Sequence, residues 1–167
     1  MRLAPELSIR RAPPPVQSKS GDGQPWCELL MQGVPTGRTL KGAYLESAVE
    51  ADGCYLLMLT DDVPFEEFLT LVLLSPQMAV LDKASIGSCY GSGRFDAVVV
   101  LPGNCVQFRF LGERPWQVHV LPGPALRLPW RREPRGVWRR FGFWRHFVVS
   151  ISADKVDVNA GNILRGE

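Results

Sequence analysis

The best candidate for nucleophilic chemistry is Gly87-Ser88-Cys89-Tyr90-Gly91, which fits the elbow pattern G-x-[S/C]-x-G. In such an elbow a sharp strand-to-helix turn projects the nucleophile, and the helix N-terminus supports the oxyanion. Here Ser92-Gly93-Arg94-Phe95 leads straight into another expected strand, so the helix is missing. A cysteine nucleophile also needs a histidine base, and His119 and His146 are isolated from one another and from Cys89. The stretch therefore reads as a Gly-rich turn whose glycines supply special backbone angles. No catalytic residue is assigned, and a non-enzymatic protein is the expectation.

Metal chemistry finds no better footing. Cys27, Cys54, Cys89 and Cys105 contain no C-x-x-C pair, and a zinc site wants paired ligands at close spacing. The four thiols read as buried, reduced, small hydrophobes, and neither a metal nor a cofactor is expected. A disulfide framework would need an oxidising compartment. The N-terminal Arg2, Arg10 and Arg11 are followed by no apolar core of a secretory signal. The longest apolar runs, near Cys54–Leu59 and Phe68–Leu74, are too short to span a bilayer. A cytoplasmic location without membrane contact is expected.

Charge is more informative than chemistry. Between Glu46 and Glu67 lie seven carboxylates and no cation: Glu46, Glu50, Asp52, Asp61, Asp62, Glu66 and Glu67. Asp61-Asp62 and Glu66-Glu67 bracket Val63-Pro64-Phe65, which is expected at a loop tip. The spacing of a calcium loop is absent, and adjacent carboxylate pairs on a turn bring no cleft for acid–base work. Two uses remain: a solvated loop, or electrostatic docking of a basic partner with Phe65 as apolar anchor.

The opposite charge gathers between Ala125 and Phe147, where seven arginines face Glu133 alone, a net +6 within a chain of net +2. Trp130, Trp138, Phe141, Phe143 and Trp144 are interleaved with them. Arginine among aromatics grips phosphates and stacks on unpaired bases, and the same pair of residue types dominates protein interfaces. Arg131, Arg132, Trp138, Arg139, Arg140 and Trp144 are the candidates for a nucleic-acid surface. The plainer alternative is a segment whose arginines cover aromatic faces and pair with the acidic loop. No RNP, KH or helix-turn-helix signature accompanies them.

The elements that must carry these groups read as strands. Sixteen glycines and fourteen prolines break the chain into short stretches, which favours strands over helices. Residues 1–24, with Pro13-Pro14-Pro15 and Ser18-Lys19-Ser20-Gly21, read as an extended arm or linker without a core of its own. Residues 25–167 read as a single β-rich domain. Tyr44–Val49 and Cys54–Thr60 flank Asp52-Gly53, a tight-hairpin signal. Cys54–Leu59 is apolar on both faces and is expected to be central and covered. Phe68–Leu74 is similar, with a helix from Pro64 as the competing expectation. Val106, Phe108 and Phe110 alternate with Gln107 and Arg109, as Trp116, Val118 and Val120 do with Gln117 and His119. Phe147–Ile151 and Val156–Val158 suggest a last hairpin. Nine to eleven short strands are expected by this count, as an antiparallel meander forming a sandwich or barrel with little helix.

One resemblance adds to this. The runs Tyr55–Glu67, Val80-Leu81-Asp82, Tyr90–Phe95 and Val106–Phe110 look like those of small uncharacterised bacterial β-rich proteins, some encoded beside toxins as their immunity partners. The resemblance covers about residues 53–121. It implies a binding role and carries over no active residue. The expectation is a non-enzymatic protein-binding module, of an immunity-type inhibitor kind, docking a basic protein through Asp61, Asp62, Phe65, Glu66 and Glu67. The alternative is a nucleic-acid-binding module built on segment 125–147.

Overall fold

A strand that is apolar at consecutive positions needs cover on both faces. The computed structural model describes residues 1–15, 24–61, 68–88, 93–127 and 133–153, and it supplies that cover. Among the described residues the chain is all-β, with thirteen strands and no helix. A central sheet runs in the order β1 (Arg2–Leu3), β5 (Tyr44–Ala51), β6 (Cys54–Thr60), β7 (Leu69–Leu74), β8 (Val80–Ile86) and β12 (Val137–Trp138). A four-stranded sheet follows the order β13 (Trp144–Ile151), β11 (Trp116–Leu126), β10 (Cys105–Arg109) and β9 (Asp96–Leu101). The third sheet is β2 (Leu7–Ala12), β3 (Trp26–Met31) and β4 (Val34–Lys41). The pairings within all three sheets are antiparallel.

Period-2 alternation divides the central sheet into two cores. Leu56, Met58, Leu71, Leu73, Ala84 and Ile86 pack against Val106, Phe108, Trp116, Val118, Phe147 and Val149 of the four-stranded sheet. Leu57, Leu59, Val72 and Leu74 face the other way, onto Leu7, Cys27, Leu29 and Leu40 of the three-stranded sheet. Neighbouring residues of β6 and β7 thus enter different cores, which is why both strands read as unbroken apolar runs. Each fully buried leucine contributes about 1.5–3 kcal/mol relative to exposure. Among the described residues the result is a sandwich-like stack with no closed barrel. The β5–β6 turn has positive φ at both Asp52 (50°) and Gly53 (79°), the twist-matched turn of a two-residue hairpin.

The N-terminal arm departs from expectation. Arg2 pairs with Glu50 across β1–β5, and β2 pairs with β3 from Leu7↔Met31 to Ala12↔Trp26. Ala4 and Leu7 are buried in the second core. Leu7 and Ile9 alternate with Ser8 and Arg10, and Arg10 donates to Glu28 at 2.9 and 2.7 Å. Residues 1–15 are therefore part of the folded unit, and residues 16–23 lie outside the described residues. Leu69–Leu74 is a strand, so the competing helix is absent there; the Pro64 part of that expectation, like Val156–Val158, lies outside the described residues.

Candidate functional site

The acidic stretch is not one cluster. Glu46 accepts a hydrogen bond from Thr60 Oγ1 at 2.6 Å, Glu50 pairs with Arg2, and Asp52 accepts from Asn104 Nδ2. Asp61, expected at the exposed loop tip, is only 5% exposed. It directly follows β6, on the parity of Leu57 and Leu59, so its side chain lies on the face of the central sheet that carries the second core. There it lines a cavity of about 210 Å³ with Gln24, Lys41, Phe68, Thr70, Lys83 and Ser85. Among the described residues its Oδ1 has no hydrogen-bond partner. Burial pushes the Asp61 carboxyl above the usual range, opposed by the attraction of Lys83 and Lys41. Asp62, Phe65, Glu66 and Glu67 lie outside the described residues.

The arginine segment separates into a buried and a surface part. The Arg139 side chain is 3% exposed; its Nη1 lies 3.0 Å from Asp82 Oδ2, and its Nη2 donates to Phe147 O at 3.1 Å. Its guanidinium sits 4.2 Å from the Phe147 ring centroid. Glu133 approaches Nε to 3.3 Å off the N–H direction, an electrostatic contact without a hydrogen bond. Burial lowers the Arg139 pKa and the two carboxylates oppose that shift. Arg139 is thus a structural cation, with no donor turned to a phosphate. Arg140 is exposed, as are Trp138 (62%), Phe141 (79%) and Trp144 (61%). Trp138 Nε1 donates to Gly87 O at 3.4 Å, and Phe141 meets Phe143 edge-on at 5.4 Å. Arg131 and Arg132 lie outside the described residues.

These surface groups meet along the margin of β8. The strand β12 pairs with only Ser85 and Ile86 of it, which leaves Val80–Ala84 beyond the last ladder partner. Asp82 closes that margin: Oδ1 accepts from Lys83 N at 2.8 Å, while Oδ2 accepts from His146 N and from Arg139, each at 3.0 Å. Beside it runs a groove of about 840 Å³, whose lining includes Lys83, Trp138, Arg140, Phe141, Trp144 and Arg145. With Lys41 and Arg139, five cations line it among the described residues, against the carboxylate of Asp82.

No family model, curated protein or solved structure matches this chain.

Gly87 of the elbow, and Gly93 beyond it, have a packing reason. A Cβ at Gly87 would collide with the Phe68 ring, and one at Gly93 would lie 2.6 Å from Phe110 Cζ. Cys89, Tyr90 and Gly91 lie outside the described residues. His119 is exposed on its strand, and His146 is held by its backbone N–H on Asp82. Cys27 is buried, and desolvation pushes its thiol up to about 11. Among the described residues no His, Cys, Asp or Glu group gathers as a metal site, and no helix is long and apolar enough to cross a membrane. Sequence reading assigned no role to Asp82 or Lys83. The alternation of Lys83 and Ser85 against inward Ala84 and Ile86 carries the signal for Lys83.

Proposed function

We propose that this chain is a protein-binding module whose docking face is the groove beside β8, and that its occupant is an acidic, extended segment of a partner protein. The observation that carries this reading is the exposure of Trp138, Phe141 and Trp144 together, within one groove whose charged lining, among the described residues, is five cations to one anion. Large contiguous apolar exposure marks interaction surfaces, and Trp and Arg are the residues that most often carry interface energy. Charge complementarity selects the acidic partner. An immunity-type inhibitor, as the sequence resemblance implies, is one form of this reading. The basic-partner expectation rests on the acidic loop, whose Asp61 is buried and whose other named residues lie outside the described ones.

Nucleic acid is less favoured by the same groove. A strand-tracking surface needs a run of cations turned outward. Arg139 is sunk between Asp82 and Phe147, and Arg145 donates both Nη1 and Nη2 to backbone carbonyls, of Trp144 and Arg140. The test is fluorescence anisotropy against three probes: acidic decapeptides bearing one Leu or Phe, their Lys-substituted counterparts, and oligo-dT. Acidic peptides should bind at least about tenfold tighter than basic ones, a difference of ~1.4 kcal/mol. Trp144→Ala should abolish the binding of acidic peptides. Equal binding of basic peptides, or no binding of acidic ones, overturns the reading. Tighter binding of oligo-dT with a steep salt dependence makes the module a nucleic-acid binder instead.

A further inference from the structure

The cavity around Asp61 is separate in chemistry from the docking groove, although Gln24, Lys41, Lys83 and Ser85 border both. It opens on a part of the central sheet that turns polar. Thr70 of β7 and Ser85 of β8 are cross-strand partners whose hydroxyls lie 3.4 Å apart. Lys83 lies two residues before Ser85 on the same face, and Phe68 supplies an apolar wall. Lys41 reaches in from the end of β4, donating to Gln24 Oε1 at 3.0 Å with its ammonium 5.6 Å from the Trp26 ring. Asp61 closes the arrangement, 95% buried and with Oδ1 unmatched.

A buried carboxylate oxygen without a donor is costly and calls for an explanation. Its position excludes two simple occupants. A bare metal cation would meet the ammonium groups of Lys83 and Lys41 across a small space, and like charges at that range repel strongly. A simple anion would pair with Lys83 and leave Oδ1 of Asp61 without a donor while adding repulsion from its charge. A molecule carrying both an ammonium and a carboxylate satisfies every group at once: its ammonium on Asp61, its carboxylate on Lys83, its remaining polar atoms on Thr70 and Ser85. The volume, about 210 Å³, equals that of roughly seven waters at ~30 Å³ each, which suits a few-carbon molecule. We infer that this cavity is a binding site for a small zwitterion of the free α-amino acid class. The environment of the two charged walls agrees. Desolvation raises the Asp61 pKa, and it lowers that of Lys83, with Lys41 and Arg140 pushing the same way and Asp61 opposing. Each group therefore gains from an opposite charge delivered into the cavity.

Calorimetric titration of the full chain with glycine, alanine and serine, beside acetate and ethylamine as single-charge controls, tests the assignment independently of the groove. At least one zwitterion should bind at least about tenfold tighter than either control, ~1.4 kcal/mol. Asp61→Asn, close to isosteric, should abolish that preference. Lys83→Gln, at a residue exposed enough to leave folding intact, should weaken the zwitterion by a similar factor and acetate as well. Trp144→Ala should leave all affinities unchanged, so that loss of the groove reading and loss of this one are told apart. Heat with no zwitterion at millimolar concentration overturns the inference. So does acetate binding as tightly as the zwitterions with no effect of Asp61→Asn.

Discussion

The two faces of the central sheet are built alike and finished differently. One face is packed under the four-stranded sheet, where Phe108, Val118 and Phe147 are fully buried or nearly so, and its outer end is stopped by the Asp82–Arg139 pair lying over Phe147. The other face packs against the three-stranded sheet, and toward β8 its residues change from Leu57, Leu59 and Val72 to Asp61, Thr70, Lys83 and Ser85. A dry core needs only shape and apolarity, whereas the polar strip, with Asp61 and Thr70 buried in it, carries charge, hydroxyls and an unmatched carboxylate oxygen. Buried polar groups of this kind are expensive unless something pairs with them.

The sharpest way to break this comparison is to open the stopped end. Asp82→Ala leaves Arg139 buried without its main partner and should cost about 3–5 kcal/mol, read from the urea midpoint. Next, Phe108→Ala should cost about 3–5 kcal/mol and Leu57→Ala about 2–5 kcal/mol. If Leu57→Ala costs almost nothing, the second core is not a core. Trp144→Ala and Arg140→Ala should each shift stability within about 0.5 kcal/mol, since both side chains are exposed, while Trp144→Ala abolishes peptide binding. The smallest effect is that of Asp61. Its folded pKa is raised, so the folded chain binds the proton more tightly than the unfolded one. Stability should be highest below the ordinary carboxylate range and fall as pH rises to the folded value, then level off. Asp61→Asn should flatten that slope and raise the melting temperature at neutral pH. A slope of the opposite sign, with loss of stability in Asp61→Asn, would show a carboxylate paired in the fold rather than an orphan.

Alternation made much of this legible. The pattern of β6, β7, β10 and β11 announced the central strands and their faces, and Asp52-Gly53 announced its hairpin. Proximity across the sheets was harder to read. Leu7 and Ile9 carry the β2 signal, but Arg10-Arg11 and the prolines after them read as a linker; the pairing of Arg10 with Glu28 is a long-range fact. The far end of β11 contains Pro122 and Pro124, which lack the N–H a ladder needs. The register shift between Val120 and Ala125 lets them pass. Asp61 was read with its acidic neighbours, as charge along the chain, when its parity with Leu57 and Leu59 already placed it on a covered face. Arg139 stands beside Arg140 in the chain and shares its charge, but only Arg139 is buried, held by Asp82 and the Phe147 ring.

Asp82 has one more consequence. By taking the Lys83 N–H on one oxygen and two donors on the other, it withholds from any second molecule the first rung of a backbone ladder along β8. Unprotected sheet edges are templates for self-association. A chain altered at this one carboxylate should therefore lose solubility at high concentration and nucleate fibrils or runaway oligomers, even in solutions where it still folds.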